Sequence, residues 1–213
     1  RQRQMCIRDS AYPSIYFPPS RTKETLNNSA VSFRKARLAV SFIFLTNGMG
    51  FASIAPHLPW LQDKFQLTEA EMGLLLLCHA IGAVTMMLVA GRVIHSFGSR
   101  LPVIVGGCLL ILLLPMVFWL DQIQLIILVL IIAGAGIGTM DVAMNAQAVM
   151  VENGLGKPIM SSFHGLWSLG AMSGGATATF ALTMGFTPLQ HVAFSSLILT
   201  VILGLSSLSL IHI

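Results

Sequence analysis

An acidic residue inside a long apolar run constrains this chain more than any other feature. The run from Ile123 to about Val151 is long enough to cross a bilayer, because a hydrocarbon core of about 30 Å needs about 20 helical residues. Counted back from Glu152, Asp141 lies roughly 16 Å inward, near the middle of the membrane. A carboxylate that faces lipid at this depth costs at least about 2.5 kcal/mol, so we expect Asp141 to face protein or a water-filled cavity.

The residues around this carboxylate follow one helical stripe. Gly134, Gly138, Asp141 and Asn145 recur at alternating spacings of four and three, and Gln147 adds a second amide nearby. Residues at these spacings share one face of a helix. The stripe predicts an inward-facing pathway for an ion or a solute, since polar residues in membranes more often mark such pathways. The alternative is a protonated Asp141 that only fixes helix packing.

The composition is that of a polytopic membrane protein in a lipid bilayer. Hydrophobic residues make up 55% of the 213 residues and charged residues only 9%, against about 25% in soluble domains. The net charge of +4 does not indicate a nucleic-acid partner, because the basic residues lie in separate loops between apolar runs. The three cysteines have no metal-binding or disulfide spacing, so we expect neither a metal nor another cofactor.

The apolar runs predict an all-α membrane protein with about six spans. We expect one bundle over residues 37–207, with spans at about 38–59, 73–93, 101–120, 123–151, 158–184 and 189–207. Lys and Arg flank these spans on one side, with Lys64 as the exception. By the positive-inside rule that side and the N-terminus are cytoplasmic, in the plasma (inner) membrane of the cell.

Both ends of the chain are expected to be foreign to the protein. Codons can be chosen for residues 208–213 that are the reverse complement of codons for the end of residues 1–10. This inverted pairing resembles a sequencing-library adapter read at both ends of a short contig. Residues 11–36 carry prolines and charges without apolar periodicity, which predicts a disordered cytoplasmic tail or upstream read-through. On this interpretation the sequence is a fragment.

Two glycine-interrupted segments indicate an internal repeat. The first span contains Asn47, Gly48 and Gly50, and the fourth contains Gly136 and Gly138 at matching spacing. The two spans lie three apart and therefore cross the membrane in opposite directions. Such segments at corresponding positions of inverted halves point to a transport site at their interface, with chance similarity as the alternative.

The fifth predicted span brings a second titratable side chain to a similar depth. His164 lies about 10 Å in from Lys157, level with Asn145, and Trp167 is level with Asp141. An imidazole and a carboxylate in one cavity can exchange a proton, because histidine titrates near neutral pH. This arrangement suits a proton-coupled carrier. The alternative is that His164 bonds a backbone carbonyl near the helix entrance.

Other features of the apolar runs predict packing. Gly170, Gly174 and Gly175 favour the close approach of membrane helices, and the methionines of the fourth span favour adaptable packing over a metal-binding stripe. We expect no enzyme, because the chain has no His-Glu-x-x-His or Gly-x-Ser-x-Gly motif and no second membrane aspartate for a catalytic dyad.

The short basic turn after the second span resembles the loop between helices two and three of the major facilitator superfamily. The match lies in Gly91, Gly98 and the final basic residue Arg100. His95 begins the pair that is usually Asp-Arg in the family, and Ser99 replaces a basic residue. The usual charge-relay gating of this loop is therefore not implied.

A closer resemblance is to the fucose-permease-like branch and its uncharacterised bacterial inner-membrane relatives. It rests on the motifs Asp141-x-Ala143-x-Asn145 and Phe163-His164-Gly165-x-x-Ser168-x-Gly170. The resemblance implies the N-terminal six-helix half, a 3+3 inverted repeat, of a transporter whose C-terminal half is missing. It also implies a role for Asp141 in proton coupling. The acidic residue of that branch in helix one is absent here, with Ala52 in its place, so a two-carboxylate mechanism is not implied.

Together these features predict a secondary active transporter for proton-coupled uptake of a small polar solute such as a sugar. Its partners would be the solute, the proton, the lipid bilayer and the missing half of the same chain. The expected pathway residues are Asp141, Asn145, Gln147, His164, Trp167 and Asn47, and the loop motif is Gly91, His95, Gly98 and Arg100. One alternative is an efflux antiporter of the same fold, which the lack of a Gly-Pro pair in helix five disfavours. Another is a non-transporting membrane scaffold or sensor.

Overall fold

The computed structural model describes residues 23–210, with side chains from residue 32 onward, and every regular element in that part is helical. The elements are α1 (Lys23–Ala52), a short 3-10 helix (Ala55–His57), α2 (Leu58–Phe65), α3 (Glu69–Phe97), α4 (Arg100–Trp119), α5 (Ile123–Leu155), α6 (Met160–Thr183) and α7 (Pro188–Ser207). The all-α prediction is confirmed. The expectations for residues 1–22 and 211–213 concern residues outside the described part.

Most of the long helices have the dimensions of membrane spans. Five segments of the described chain are long and apolar enough to cross a membrane, namely residues 32–65, α3, α4, α5 and α7. The sixth long helix, α6, has 24 residues but carries serine, threonine and histidine along its length. It packs along α1 within the bundle. The chain is therefore a multi-pass membrane protein with five apolar spans and one more polar helix.

The first helix begins earlier than expected. α1 starts at Lys23, inside the stretch 11–36 for which the sequence predicts a disordered tail or upstream read-through. The reason is packing at the start of the bundle. Ala36 is buried, and the ring of Phe33 lies against Gly154 near the end of α5.

Helix α1 ends beyond its glycines and is not interrupted at them. The helix runs without interruption through Gly48 and Gly50 and ends at Ala52, and α5 is likewise continuous through its glycines. The expectation that these segments interrupt their helices is therefore wrong. The chain leaves the α-helix before Pro56, which lacks a backbone N–H and disfavours helical geometry in the preceding residue. The 3-10 helix and α2 then complete the crossing.

Lys64, the basic residue that departs from the charge pattern, binds the turn between α4 and α5. Its Nζ lies 2.8 Å from the carbonyl oxygen of Leu120 and 2.8 Å from Asp121 Oδ1. The same ammonium lies 5.3 Å from the centre of the Trp60 ring. These contacts join α2 to the turn between α4 and α5.

The helix packing has the exchange symmetry expected of a 3+3 inverted repeat. The most extensive contacts join α3 with α5 and α1 with α6, and the contact of α4 with α5 is matched by that of α1 with α7. When α1, α3 and α4 are exchanged with α5, α6 and α7 respectively, the α3–α5 contact becomes the α6–α1 contact. The α4–α5 contact becomes the α7–α1 contact in the same way. The described bundle thus consists of two interleaved three-helix units.

Glycines make the closest contacts in both units. A Cβ atom at Gly82 of α3 would lie closer than 3.0 Å to the carbonyl oxygen of Ile131, and one at Gly170 of α6 would lie equally close to the carbonyl oxygen of Leu45. Gly174 makes the same kind of contact. Only glycine permits such an approach of two helix backbones.

A second pair of glycine contacts fixes the register of the repeat. Gly134 of α5 packs on the carbonyl oxygen of His79, and Gly48 of α1 packs on that of Trp167. Under the exchange of helices these two contacts correspond, so Gly48 pairs with Gly134. The glycine spacing in the sequence paired Gly48 with Gly136 instead, which is two residues away from the pairing that the contacts give.

Gly175 differs from its neighbours in α6. Gly170 and Gly174 take part in close packing as predicted, whereas nothing lies within 4 Å of the position of a Cβ at Gly175. The packing prediction is therefore confirmed for the first two glycines, and no described residue packs against the third. A helix has only one face toward each neighbour, and Gly175 lies off the face that meets α1.

Candidate functional site

Asn47 links the three helices that carry most of the predicted pathway residues. It is only 3% exposed, and its Oδ1 accepts a hydrogen bond of 2.8 Å from Trp167 Nε1 on α6. Its Nδ2 lies 3.5 Å from Met140 Sδ on α5, one residue before Asp141. The structure therefore brings Asn47, Trp167 and the Asp141 region of α5 together at one level of the bundle.

Asp141 and His164 lie on the open side of this group. The carboxylate of Asp141 is half-buried and within electrostatic range of His164, whose ring is exposed and stands edge-on to Phe44 at 5.4 Å between centroids. Asn145, one turn further along α5, donates from Nδ2 to the backbone carbonyl oxygen of Asp141 at 2.8 Å. By the depths counted from the sequence, His164 lies level with Asn145, about one helical turn from Asp141.

The polar group is open at the surface of the described bundle. His164 and Ser168 are exposed on α6, while the apolar side chains around them, such as Leu169 at 46% and Met172 at 66%, are exposed as well. A polar group on an apolar surface has no favourable place against lipid.

Gln147 has a different local role. It is fully buried, and its Nε2 donates to Ser99 Oγ at 2.7 Å, in the turn between α3 and α4. The structure thus directs this amide toward the α3–α4 turn, away from the carboxylate of Asp141.

Two residues of the predicted loop motif, Gly98 and Arg100, lie at that turn, whereas Gly91 and His95 lie in α3. Gly98 ends α3 with φ at 72°, a left-handed value that favours glycine, and Arg100 begins α4. His95 and Gly91 are exposed on the last turns of α3, and nothing lies within 4 Å of the position of a Cβ at Gly91. The turn is therefore fixed by the Ser99–Gln147 hydrogen bond and by the conformation of Gly98.

Two further polar arrangements are not expected from the sequence. Glu152 Oε2 accepts hydrogen bonds of 2.7 Å from the backbone N–H groups of both Ile159 and Met160, so it caps the start of α6 across the connection from α5. A carboxylate close to the end of one helix, a few residues before the next helix begins, is a local signal that could have revealed this cap.

The second arrangement is a buried chain of His57, His191 and Ser195 at the end of the bundle where α1 ends and α7 begins. No local sequence pattern announces it, because the two histidines lie 134 residues apart in the chain. Among the described residues, no cluster of three or more His, Cys, Asp or Glu side chains has the arrangement of a metal site.

Comparison with known proteins gives the family of this bundle. The sequence profile of the Major Facilitator Superfamily matches residues 40–212. The chain belongs to the major facilitator superfamily. The two interleaved three-helix units are accordingly half of a major facilitator fold, as the sequence resemblance implied. No solved structure is similar enough to count as a match.

Curated relatives of the chain are longer than the chain itself. An uncharacterised MFS-type transporter of Yersinia pestis is 34% identical over 171 residues, which are 80% of this chain and 44% of the relative. The membrane protein MosC of Rhizobium meliloti is 34% identical over 161 residues, which are 73% of this chain and 39% of the relative. An uncharacterised transporter of Sinorhizobium fredii is 32% identical over 164 residues, 76% of this chain and 43% of the relative. The chain spans less than half the length of these relatives.

Proposed function

We propose that the chain is the N-terminal half of a secondary active transporter that couples proton movement to the uptake of a small polar solute such as a sugar. The observation that carries the proposal is the polar group of Asp141, His164, Asn47 and Trp167 on an open face of a membrane bundle of this superfamily. Transporters with inverted repeats place their substrate sites near the middle of the membrane at the interface of the repeats.

In this proposal the polar side chains have distinct roles. Asp141 carries the coupled proton, and His164 exchanges it, because the two groups lie within electrostatic range across α5 and α6. Trp167 presents its ring to the solute while its N–H stays bonded to Asn47. Aromatic rings beside hydrogen-bonding groups suit a neutral polar solute such as a sugar, whose ring has apolar faces and polar edges.

A second half of the same chain completes the site. The exposed side chains beside His164 on α6 and the large exposed fraction of α3 support this, because α3 is the least buried of the apolar spans. Together with the basic residues of the connections, the fold supports a cytoplasmic N-terminus in the inner membrane. The motifs around Asp141 and His164 favour the fucose-permease-like branch of the superfamily.

Transport by the uninterrupted protein tests the proposal. Proteoliposomes that contain a pH-sensitive dye would be given neutral monosaccharides outside, and proton entry would be followed by the change in dye fluorescence. Asp141→Asn is expected to abolish solute-driven proton entry, because the amide cannot carry the proton. Asp121→Asn is the matched control, since Asp121 is exposed in the turn between α4 and α5 and pairs with Lys64.

The same assay separates the alternatives. Normal proton entry in Asp141→Asn would contradict the role of this carboxylate. Proton movement opposite to the solute would identify an efflux antiporter of the same fold. Equal tolerance of substitution at Asp141 and His164, with no solute gradient under any condition, would identify a scaffold or sensor.

A further inference from the structure

An apolar cavity lies beside the polar group of Asp141, His164, Asn47 and Trp167. It has a volume of about 400 Å³ and is bordered by α1, the 3-10 helix, α2, α3, α4 and α5. Apart from His79, the described residues that line it are apolar. Some of them are buried in the bundle, and others, such as Phe51 and Leu76, are exposed. The cavity therefore reaches from the interior of the bundle to its surface.

The cavity follows the polar group along two helices. On α5, Ile137 of the lining lies one turn before Asp141, and on α1, Phe51 of the lining lies one turn after Asn47. Because α1 and α5 cross in opposite directions, both steps lead the same way, by about 5.4 Å. The ring of Phe51 also lies 6.1 Å from that of Trp167 between centroids. One small molecule can therefore contact the polar group and the cavity together.

The inverted repeat relates the cavity to the polar group. The glycine contacts that give the register pair Trp167 with His79, because Gly48 packs on the carbonyl oxygen of the first and Gly134 on that of the second. Counting from these contacts pairs Asn47 with Ala133, His164 with Leu76, and Asp141 with Ala55. All four counterparts of the polar group line the cavity. The protein thus has a polar surface and an apolar surface at equivalent places of its two repeats, and transporters of this kind bind solutes where the repeats meet.

Side-chain size explains why space remains on the apolar side. Beside His164, the rings of Phe44 and Phe163 stack with 5.5 Å between centroids. By the same register their counterparts are Leu130 and Leu75, and both line the cavity. A leucine side chain is smaller than a phenylalanine side chain, so the exchange leaves a volume that the phenylalanines fill in the other repeat.

The lining of the cavity selects an apolar group. A dry cavity of about 150 Å³ lined by leucine, isoleucine and phenylalanine is already large enough to bind benzene. The hydroxyl groups of a bare sugar would find only the ring of His79 among the described lining side chains, and the remaining hydroxyls would lose their hydrogen bonds to water. An aryl or alkyl group has no such cost and gains from leaving water.

We propose that the transported solute is amphipathic, with a polar part that binds the polar group and an aryl or alkyl part that fills this cavity. The inference rests on the proposed function, because it names the class of solute for the same site. The site then has two portions related by the repeat. The polar portion orients the solute and carries the proton, and the apolar portion supplies affinity.

Matched glycosides test the proposal on the uninterrupted protein in lipid nanodiscs. Phenyl and methyl β-glycosides of glucose and of galactose would be titrated by calorimetry, so that each pair differs only in the apolar group. A phenyl glycoside is expected to bind about 10- to 100-fold more tightly than its methyl partner, because the ring leaves water for the cavity. Equal affinities would show that a lipid chain or the second half of the protein fills the cavity, and would overturn the proposal. Absence of binding by every phenyl glycoside would overturn it as well.

A substitution that fills the cavity locates the effect. Leu130→Phe places in the lining the residue type that Phe44 supplies in the other repeat, and it is expected to weaken phenyl glycosides about 10-fold or more while methyl glycosides bind as before. Leu128→Phe is the matched control on α5, because Leu128 is exposed and does not line the cavity. A phenyl preference that survives Leu130→Phe would place the ring elsewhere and overturn the proposal.

The unaltered protein keeps the glycoside comparison decisive even if Leu130→Phe does not fold. The outcome is also separate from that of the proposed function. Normal proton entry in Asp141→Asn would contradict the proposed coupling and leave the preference for phenyl glycosides intact. Equal affinities of phenyl and methyl glycosides, with proton entry that depends on Asp141, would overturn only the assignment of the cavity.

Discussion

Replacing one glycine of α6 tests the close packing of α1 and α6. An added Cβ at Gly170 would lie closer than 3.0 Å to the carbonyl oxygen of Leu45, whereas ordinary contact begins at 3.4 Å. The atom that must give way belongs to a helix backbone, so α1 and α6 must separate by several tenths of an ångström or more. A gap of about 0.5–1 Å already forfeits a quarter to a half of the dispersion energy between facing atoms.

The size of the effect follows from a comparison within the same helix. Gly165→Ala is the control, because nothing lies within 4 Å of the position of its Cβ. Both variants gain the higher helix propensity of alanine, about 1 kcal/mol, and this gain cancels when the two are compared. The remaining difference is the cost of overpacking, about 1–3 kcal/mol. We therefore expect Gly170→Ala to be less stable than Gly165→Ala by this amount.

Reversible unfolding measures the difference. The chain would be folded in mild detergent micelles and titrated with dodecyl sulfate, with helix content followed by circular dichroism. The free energies of unfolding of the two variants would be compared with that of the unaltered chain. If Gly170→Ala were as stable as Gly165→Ala, the backbone contact between α1 and α6 would not exist in solution, and the register derived from the glycines would lose its support.

Two further substitutions test individual contacts. Trp167→Phe is expected to destabilise the chain by about 1–3 kcal/mol in the same titration, because it leaves Asn47 Oδ1 buried without its donor. The control is Trp119→Phe, which is expected to have little effect because the Trp119 side chain is 65% exposed. Equal losses of unfolding free energy in the two variants would refute the role of the hydrogen bond. Glu152→Ala is expected to accelerate hydrogen exchange at the two capped amides at the start of α6, and unchanged exchange there would show that the cap does not hold this end.

The sequence predicts features that depend on one helix at a time. Membrane depth is such a feature, because each residue of a helix adds about 1.5 Å. Counting residues from the ends of two spans places Trp167 level with Asp141. In the structure Trp167 bonds to Asn47, and Asn47 contacts Met140, the residue before Asp141. The all-helical fold follows in the same way from the apolar runs.

Features that depend on how helices face each other are not predicted. The register of the inverted repeat is one, since glycines recur so often in α1 and α5 that several alignments fit equally well. Gly48 matches Gly136 by spacing and Gly134 by contact, and only the position of neighbouring carbonyl oxygens decides between them. The contact of His57 with His191 is another, because it joins elements far apart in the chain.

The glycine contacts also determine where the bundle can deform. Backbone touches backbone between α1 and α6 and between α3 and α5, so neither pair has a layer of side chains that can change rotamer as the helices slide. Each pair therefore moves as one rigid body. The two pairs meet between α1 and α5, where Asn47 contacts the flexible thioether of Met140. The polar group thus lies where the bundle deforms most easily, and a movement of one helix pair against the other changes the shape of this group first.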